Sequence, residues 1–351
     1  MLYSPTNFEY KSHSFYFVVP TKLGLIKRIS SKKQQNDDEV AHDNKILIES
    51  ISTLIIDDSI LIIYSQGKNV NAINPMNNTN KRIFTCKENN SFIKGIIPLQ
   101  SFLPNNKLFA MVKEAVTISP KKDVKYSLII ASFSVDEFLL KEKQSYLIDE
   151  ESFEKEKDAR IQIIEINKNK ILLVSIKIKN ILEFQIFWNE TGQITINLAR
   201  KLSIPENLAT LHSICSIPVI RGLNDIYGRI AITFNDVAIL KVYILQENKN
   251  MLLRYTLQLS YLPGIIHWDP GFSLILIQKP FTKSGDALDM FRWNESTQRL
   301  EYIRELDING ETKISCICSI NLPSKQEFGQ AGIYALDKES NDILMLSFEY
   351  D

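Results

Sequence analysis

The residues best placed to do chemistry are His267, Trp268 and Asp269, followed at once by Pro270 and Gly271. An imidazole and a carboxylate two positions apart could orient each other, since a carboxylate fixes a histidine tautomer, with the indole as an apolar wall. Asp-Pro-Gly also spells a plain turn. The segment therefore reads either as a binding or catalytic group or as a turn. The other histidines are His13 and His42, in polar context that suits solvated rings, and His212, whose apolar run suits a hydrogen-bonded structural role. No G-x-S-x-G, H-E-x-x-H, P-loop or G-x-G-x-x-G pattern occurs, and KSGDA at 283–287 lacks the later glycine that a phosphate cradle needs. Cys86, Cys215, Cys316 and Cys318 form no C-x-x-C pair and have no histidine at zinc-ligand spacing, so they read as small buried hydrophobes in a reducing compartment. So few gathered titratable groups predict a chain that is not an enzyme and needs no cofactor or metal.

Basic residues offer a second kind of chemistry. Lys27, Arg28, Lys32 and Lys33 make the densest positive run, able to touch phosphates or an acidic partner. Asp37, Asp38 and Glu39 follow directly, which suits a solvated loop equally well. Across the chain 41 basic residues balance 41 acidic ones, excluding a whole-chain electrostatic bias toward nucleic acid or anionic membrane. Protein partners rank ahead of RNA or DNA on this ground. The first twenty residues show no basic segment leading into a continuous apolar run, and Glu49, Asp57 and Asp58 interrupt the most apolar stretch, Ile46 to Tyr64. The expectation is an intracellular protein of cytoplasm or nucleus without membrane insertion. Four N-x-S/T sequons, at Asn77, Asn89, Asn189 and Asn294, read as chance in an Asn-rich chain.

The elements that must position these residues are short and β-rich. SFYFVV (14–19), LGLIKRI (23–29), KILIESISTLII (45–56), ILIIYS (60–65) and VNAI (70–73) are runs of Ile, Val, Phe and Tyr ended by Asp, Asn, Gly or Pro. That is the signature of strands and hairpins. Sustained helical periodicity is absent. The charged stretch 136–159 could be a helix or a mobile insertion, and 34–44 reads as a solvated loop.

Internal repetition organises these runs. LHSICSIPV (211–219) matches ISCICSINL (314–322), with Cys215 on Cys318, 103 residues apart. IFWNETGQIT (186–195) matches FRWNESTQRL (291–300), with Trp188 on Trp293, 105 residues apart. GRIAITFNDVAILKVYI (228–244) echoes QAGIYALDKESNDILMLSFE (330–349), and FIKGIIPL (92–99) looks like an earlier copy of the first motif. Half the displacement fits a unit of four strands, and starts fall near Ser14, Ile46, Phe92, Ile161, Leu211, Gly264 and Ile314. One four-stranded sheet cannot bury both faces alone, whereas sheets stacked radially cover one another. The prediction is an all-β chain forming a single β-propeller domain of about seven four-stranded blades, with a charged insertion at 136–159.

Strand, Asp or Asn turn, strand, Gly/Asn turn, and a strand ending in Asn-Pro, the cadence of 45–75, resembles a WD40-type blade. No Trp-Asp dipeptide ends a strand and no Gly-His pair opens a blade, so the resemblance lies in rhythm. Trp188 and Trp293, each followed by Asn-Glu and a hydroxyl residue, could fill the space between blades, contact a protein partner, or stack on a sugar. A propeller without channel chemistry implies, by fold analogy, a rigid platform for other protein subunits in a larger assembly. The rivals are a small-ligand or glycan-binding propeller using His267, Trp268 and Asp269, and an accessory subunit contacting RNA or DNA.

Overall fold

A computed structural model describes residues 22–30, 47–56, 59–99, 107–117, 123–148, 161–167, 169–175, 180–189, 193–204, 210–219, 226–234, 236–247, 250–282, 285–308, 312–319 and 331–349. Strand β1 (Lys22–Ile29) stands apart from the rest of its sheet in sequence. Blade 1 comprises β2 (Ile48–Ile56), β3 (Ser59–Gln66), β4 (Asn69–Asn74) and β5 (Thr79–Thr85). Blade 2 follows with β6 (Ser91–Leu99), β7 (Leu108–Thr117), β8 (Asp123–Ser134) and β9 (Leu139–Ile148). Blade 3 holds β10 (Ile161–Asn167), β11 (Lys170–Ser175), β12 (Asn180–Trp188) and β13 (Ile194–Ser203). Blade 4 is β14 (Leu211–Ile217), β15 (Ile226–Phe234), β16 (Ile239–Gln246) and β17 (Leu252–Gln258). Blade 5 is β18 (Ile266–Asp269), β19 (Leu274–Thr282), β20 (Gly285–Asn294) and β21 (Arg299–Asp307). Blade 6 takes β22 (Ile314–Ser319), β23 (Ala331–Asp337) and β24 (Ile343–Glu349) from the C-terminal part and completes itself with β1.

Each sheet is antiparallel, and five of them run in simple chain order. The first strands β2, β6, β10, β14, β18 and β22 touch in ring order, with β22 meeting β2, so the six sheets close on themselves. Middle strands such as β3 (SILIIYSQ) and β15 (IYGRIAITF) are apolar through most of their length because both of their faces are covered by neighbouring blades. Fourth strands such as β21 (RLEYIRELD) are polar and largely exposed, since nothing stacks beyond the rim. The core is six apolar layers, each shared mainly by two adjoining blades.

The blade count corrects the expected seven to six. Six of the seven predicted starts fall within two residues of a first strand. The exception is Ser14, which lies outside the described residues. The LGLIKRI run, expected within the blade that starts there, is instead the outermost strand of blade 6, β1 pairing Lys22 with Glu349 and Ile29 with Ile343. Only 32 residues separate Ser14 from Ile46, too few for four strands and their turns. The predicted insertion at 136–159 is also corrected: residues 139–148 form β9, and its charged alternation is that of an outer strand facing solvent. Residues 149–160 and 34–44 lie outside the described residues. The described residues contain no helix, hence none long and apolar enough to cross a membrane.

Both displacements resolve into a two-blade step. Cys215 and Cys318 lie on the first strands of blades 4 and 6, and Trp188 and Trp293 lie at or one residue before the ends of the third strands of blades 3 and 5. Gly228 shows why one repeated position stays small: a Cβ there would lie 2.2 Å from Ile166 of blade 3. Gly332, its counterpart two blades on, would meet the Phe348 ring at 2.4 Å.

Candidate functional site

The axial ends of the first strands carry the positions that a propeller can turn to use, and in four blades their register is broken there. Between paired neighbours sits one extra residue: Glu49 in β2, Lys94 in β6, His212 in β14 and Ser315 in β22. Such a bulge re-aims a side chain out of the ladder. Glu49 and Lys94 neutralise each other across blades 1 and 2 at 3.1 Å. The Ser315 hydroxyl is 3.3 Å from the Leu336 carbonyl, and His212 is also engaged.

Two residues before each bulge stand Leu47, Phe92, Thr210 and Lys313, all exposed. Leu262 holds the same place in blade 5. Its blade is aligned by the Ile266 amide donating to Ser213 Oγ at 3.2 Å, as the Ile96 amide donates to Ser50 Oγ at 3.3 Å. Leu47, Phe92 and Leu262 keep 51%, 39% and 52% of their surface in solvent, so one end of the ring wears an interrupted apolar lip.

The sequence-predicted group at 267–269 lies on β18, the first strand of blade 5, and the turn begins only at Pro270. Imidazole Nε2 of His267 is 2.8 Å from Ser319 Oγ in blade 6. The Ser319 carbonyl in turn accepts the Thr53 hydroxyl of blade 1 at 2.8 Å, so one polar chain ties three blades. Asp269 is buried and its Oδ2 accepts the Phe272 amide at 2.8 Å, which caps the turn. Trp268 packs into the apolar layer between blades 4 and 5. Burial of the His267 ring pushes its pKa down to about 4 from 6.5.

A group with a depressed pKa in the folded state is protonated first in the unfolded chain. The stabilising contribution of neutral His267 is therefore complete above pH 6.5 and fades as pH falls toward 4. The stability gap between the native chain and a His267→Gln variant, read from urea midpoints, is expected to shrink between pH 7 and pH 4.5. An unchanged gap would contradict this assignment.

The predicted basic residues are distributed differently. Lys27 and Arg28 lie on β1 at the outer edge of blade 6, where Lys27 donates to the Pro75 carbonyl at 3.0 Å and Arg28 pairs with buried Asp337 at 3.1 Å. They serve ring closure and are not brought together with His267, Trp268 and Asp269, which sit on an innermost strand. Lys32 and Lys33 lie outside the described residues.

Three charged assemblies have no sequence motif, because their members come from several strands. In the first, fully buried Arg229 (β15) meets Glu295 with two parallel hydrogen bonds of 2.9 Å across the boundary of blades 4 and 5. Its guanidinium lies 4.6 Å from the Trp293 ring centre, and the indole N–H donates to Glu295 at 3.1 Å. Burial works against the Glu295 carboxylate, but the bonds and charge of Arg229, with Trp293 and Gln298, hold its pKa below the ordinary value. Trp293 is 7% exposed and lies edge-on to Tyr255, so it fills the inter-blade space and has no open face for a sugar. The only sequence trace of this assembly is the repeated Trp-Asn-Glu. In the other copy Trp188 is half-buried against the layer between blades 2 and 3, and Glu190 lies outside the described residues.

In the second assembly, buried Glu183 accepts from Arg200 at 2.9 Å and from the Tyr227 hydroxyl of blade 4. The Tyr227 ring is approached by Lys170 at 3.9 Å and Arg200 at 5.3 Å. Burial first, and Glu183 second, raise the Tyr227 pKa. In the third, Tyr261 donates to Asp289 at 2.5 Å beside the Lys279–Glu305 pair. Burial raises the Asp289 pKa, and its second oxygen is enclosed without a partner. Asp289 is 6% exposed, so little of its carboxyl meets solvent. Among the described residues no three His, Cys, Asp or Glu side chains gather as a metal would need.

No protein-family model and no curated protein matches the chain. Solved structures match it in fold. The soluble aldose sugar dehydrogenase of Escherichia coli superposes with a TM-score of 0.57 at 7% identity, over 93% of this chain and 98% of that one. A glucose dehydrogenase gives 0.57 at 9% identity, over 94% and 100%. Raptor from Chaetomium thermophilum gives 0.49 at 8% identity, over 88% of this chain but 29% of its own. At such identities the likeness extends to the fold alone. Ring and sheets together define a β-propeller of six four-stranded blades.

Proposed function

We propose that this propeller is a non-catalytic platform that binds other proteins inside the cell, as one subunit of a larger assembly. One observation carries the reading. The side chains with chemical potential, His267, Asp269, Arg229 and Glu183, are occupied in holding blades or turns, while large apolar side chains are exposed at equivalent lip positions. Catalysis needs such groups gathered and reachable, whereas exposed large apolar side chains are what protein interfaces use. Protein partners also fit the zero net charge better than nucleic acid does.

The test has two arms. Purification from the native source with in-cell cross-linking should return defined proteins whose cross-links map to the rim at Leu47, Phe92 or Leu262. A thermal-shift panel of metals, nucleotides and sugars should leave the midpoint unmoved. A ligand that raises the midpoint in the native chain and fails to do so in a His267→Ala variant would replace the platform by a ligand-binding propeller.

A further inference from the structure

A second surface feature lies away from the axis, between blades 1 and 2. It is a cleft of about 290 Å³ lined by Leu61, Ala72, Asn74, Thr79, Lys81 and Phe138. Leu61 and Ala72 form a buried apolar floor, and Phe138 closes one side from the turn before β9. Such a volume lies just below the range of ligand pockets, about 300–1,000 Å³. Met76, 78% exposed, stands on the neighbouring turn as further apolar surface.

The charge at the mouth selects what the cleft can take. Lys81 Nζ touches the Glu137 carbonyl at 3.4 Å and the face of Phe138 at 4.8 Å. It makes no ion pair among the described residues, while the neighbouring Glu137 is paired with Lys141. An apolar floor beside an exposed ammonium that has no carboxylate partner among the described residues complements an apolar side chain flanked by a carboxylate.

Phe138 is the residue out of place. It is the last residue of a tight turn and adopts φ of 54°, where blades 1 and 5 carry Asn78 and Gln298 at φ of 58° and 54°. A left-handed backbone suits asparagine and disfavours a bulky ring. The ring stacks edge-on against Phe133 at 5.3 Å and builds the cleft wall, which is what the unfavourable turn obtains in return.

We propose that this cleft receives a short segment of a partner protein in which a Leu, Met or Phe side chain stands next to an acidic residue. The proposal deepens the platform reading and rests on it, by naming a site and a partner chemistry. The probe is a displayed library of random linear peptides panned on the full chain, followed by titration of one enriched synthetic peptide. Enriched peptides should share an acidic residue beside a large apolar one. Lys81→Glu and Phe138→Asn should each weaken binding by about tenfold or more, roughly one ion pair or one buried contact. The second variant installs the residue type that blade 1 uses at that turn, and unchanged thermal unfolding will show that both variants fold. A peptide with lysine in place of its acid should bind Lys81→Glu better than the native chain.

Peptides that bind both variants undiminished would place the site elsewhere, overturning the cleft while leaving the platform intact. Absence of enriched peptides, or a dimer in sedimentation that Phe138→Asn abolishes, would also overturn it. In the last case the occupant is a second copy of this chain.

Discussion

Deletion of residues 1–30 is expected to weaken ring closure and make unfolding less cooperative, whereas deletion of residues 1–21 alone leaves β1 in place. Strand β1 pairs along β24 from Lys22–Glu349 to Ile29–Ile343, so the last blade is completed by the first strand. Without it, β24 becomes a free edge, and Leu344 and Leu346, now fully buried, lose cover. The Arg28–Asp337 and Lys27–Pro75 contacts vanish as well. Asp337 also organises the turn before β24, accepting from the Glu339 amide and the Ser340 hydroxyl, so the damage reaches the β23–β24 hairpin. Closure joins chain segments more than 300 residues apart, and loss of that pairing leaves the contact of β22 with β2 to tie blade 6 to blade 1. The expected loss is several kcal/mol, a large part of the ~5–15 kcal/mol that stabilises ordinary domains. Urea unfolding of the two deletions should separate them, the longer one giving a lower midpoint and a shallower transition. A single sharp transition at the native midpoint would show that β1 is dispensable.

Loss of Glu295 is expected to be the most damaging single side-chain change. Arg229 is fully buried; among the described residues, two of its nitrogens are satisfied through this carboxylate alone, and its Nε is already enclosed without a partner. Removing one member of such a pair leaves an uncompensated buried charge, which costs about 3–5 kcal/mol. Glu295→Ala should fall in that range, and it also removes the acceptor of the Trp293 indole. Arg229→Met combined with Glu295→Gln should recover much of the loss, because no charge is then stranded. The pair also sets a pH dependence. The Glu295 pKa is lowered in the folded state, so its contribution is complete above the ordinary carboxylate range and is lost as pH falls through the depressed value. Chemical denaturation of the single and double variants measures all of this. A Glu295→Ala variant within 1 kcal/mol of the native chain, as surface pairs give, would refute the assignment.

The two experiments probe boundaries that differed in how far the residues announced them. The blade was legible because a four-stranded unit leaves a local imprint: apolar runs, turn residues and a repeat that recurs after every second blade. Cys215 with Cys318 and Trp188 with Trp293 sit at equivalent places because each blade must meet the same neighbours. The count was misread at the N-terminus because a strand looks the same whichever sheet it joins. LGLIKRI follows SFYFVV as if within a first blade beginning at Ser14, and only pairing with residues over 300 positions away makes it a closing strand.

Of the candidate group at 267–269, the sequence by itself determined the chemistry present and the turn at Pro270. Tertiary structure decided its use, by setting Ser319 of the next blade against His267 and the Phe272 amide against Asp269. Arg229 with Glu295, Glu183 with Tyr227, and the cleft at Lys81 and Phe138 left almost no trace in the chain. Each draws on adjoining blades, and the distance between two blades' side chains is fixed by the angle at which sheets stack around the axis. Local residue patterns carry the period of a strand and the place of a turn, while contacts across a blade boundary exist only once the ring has closed.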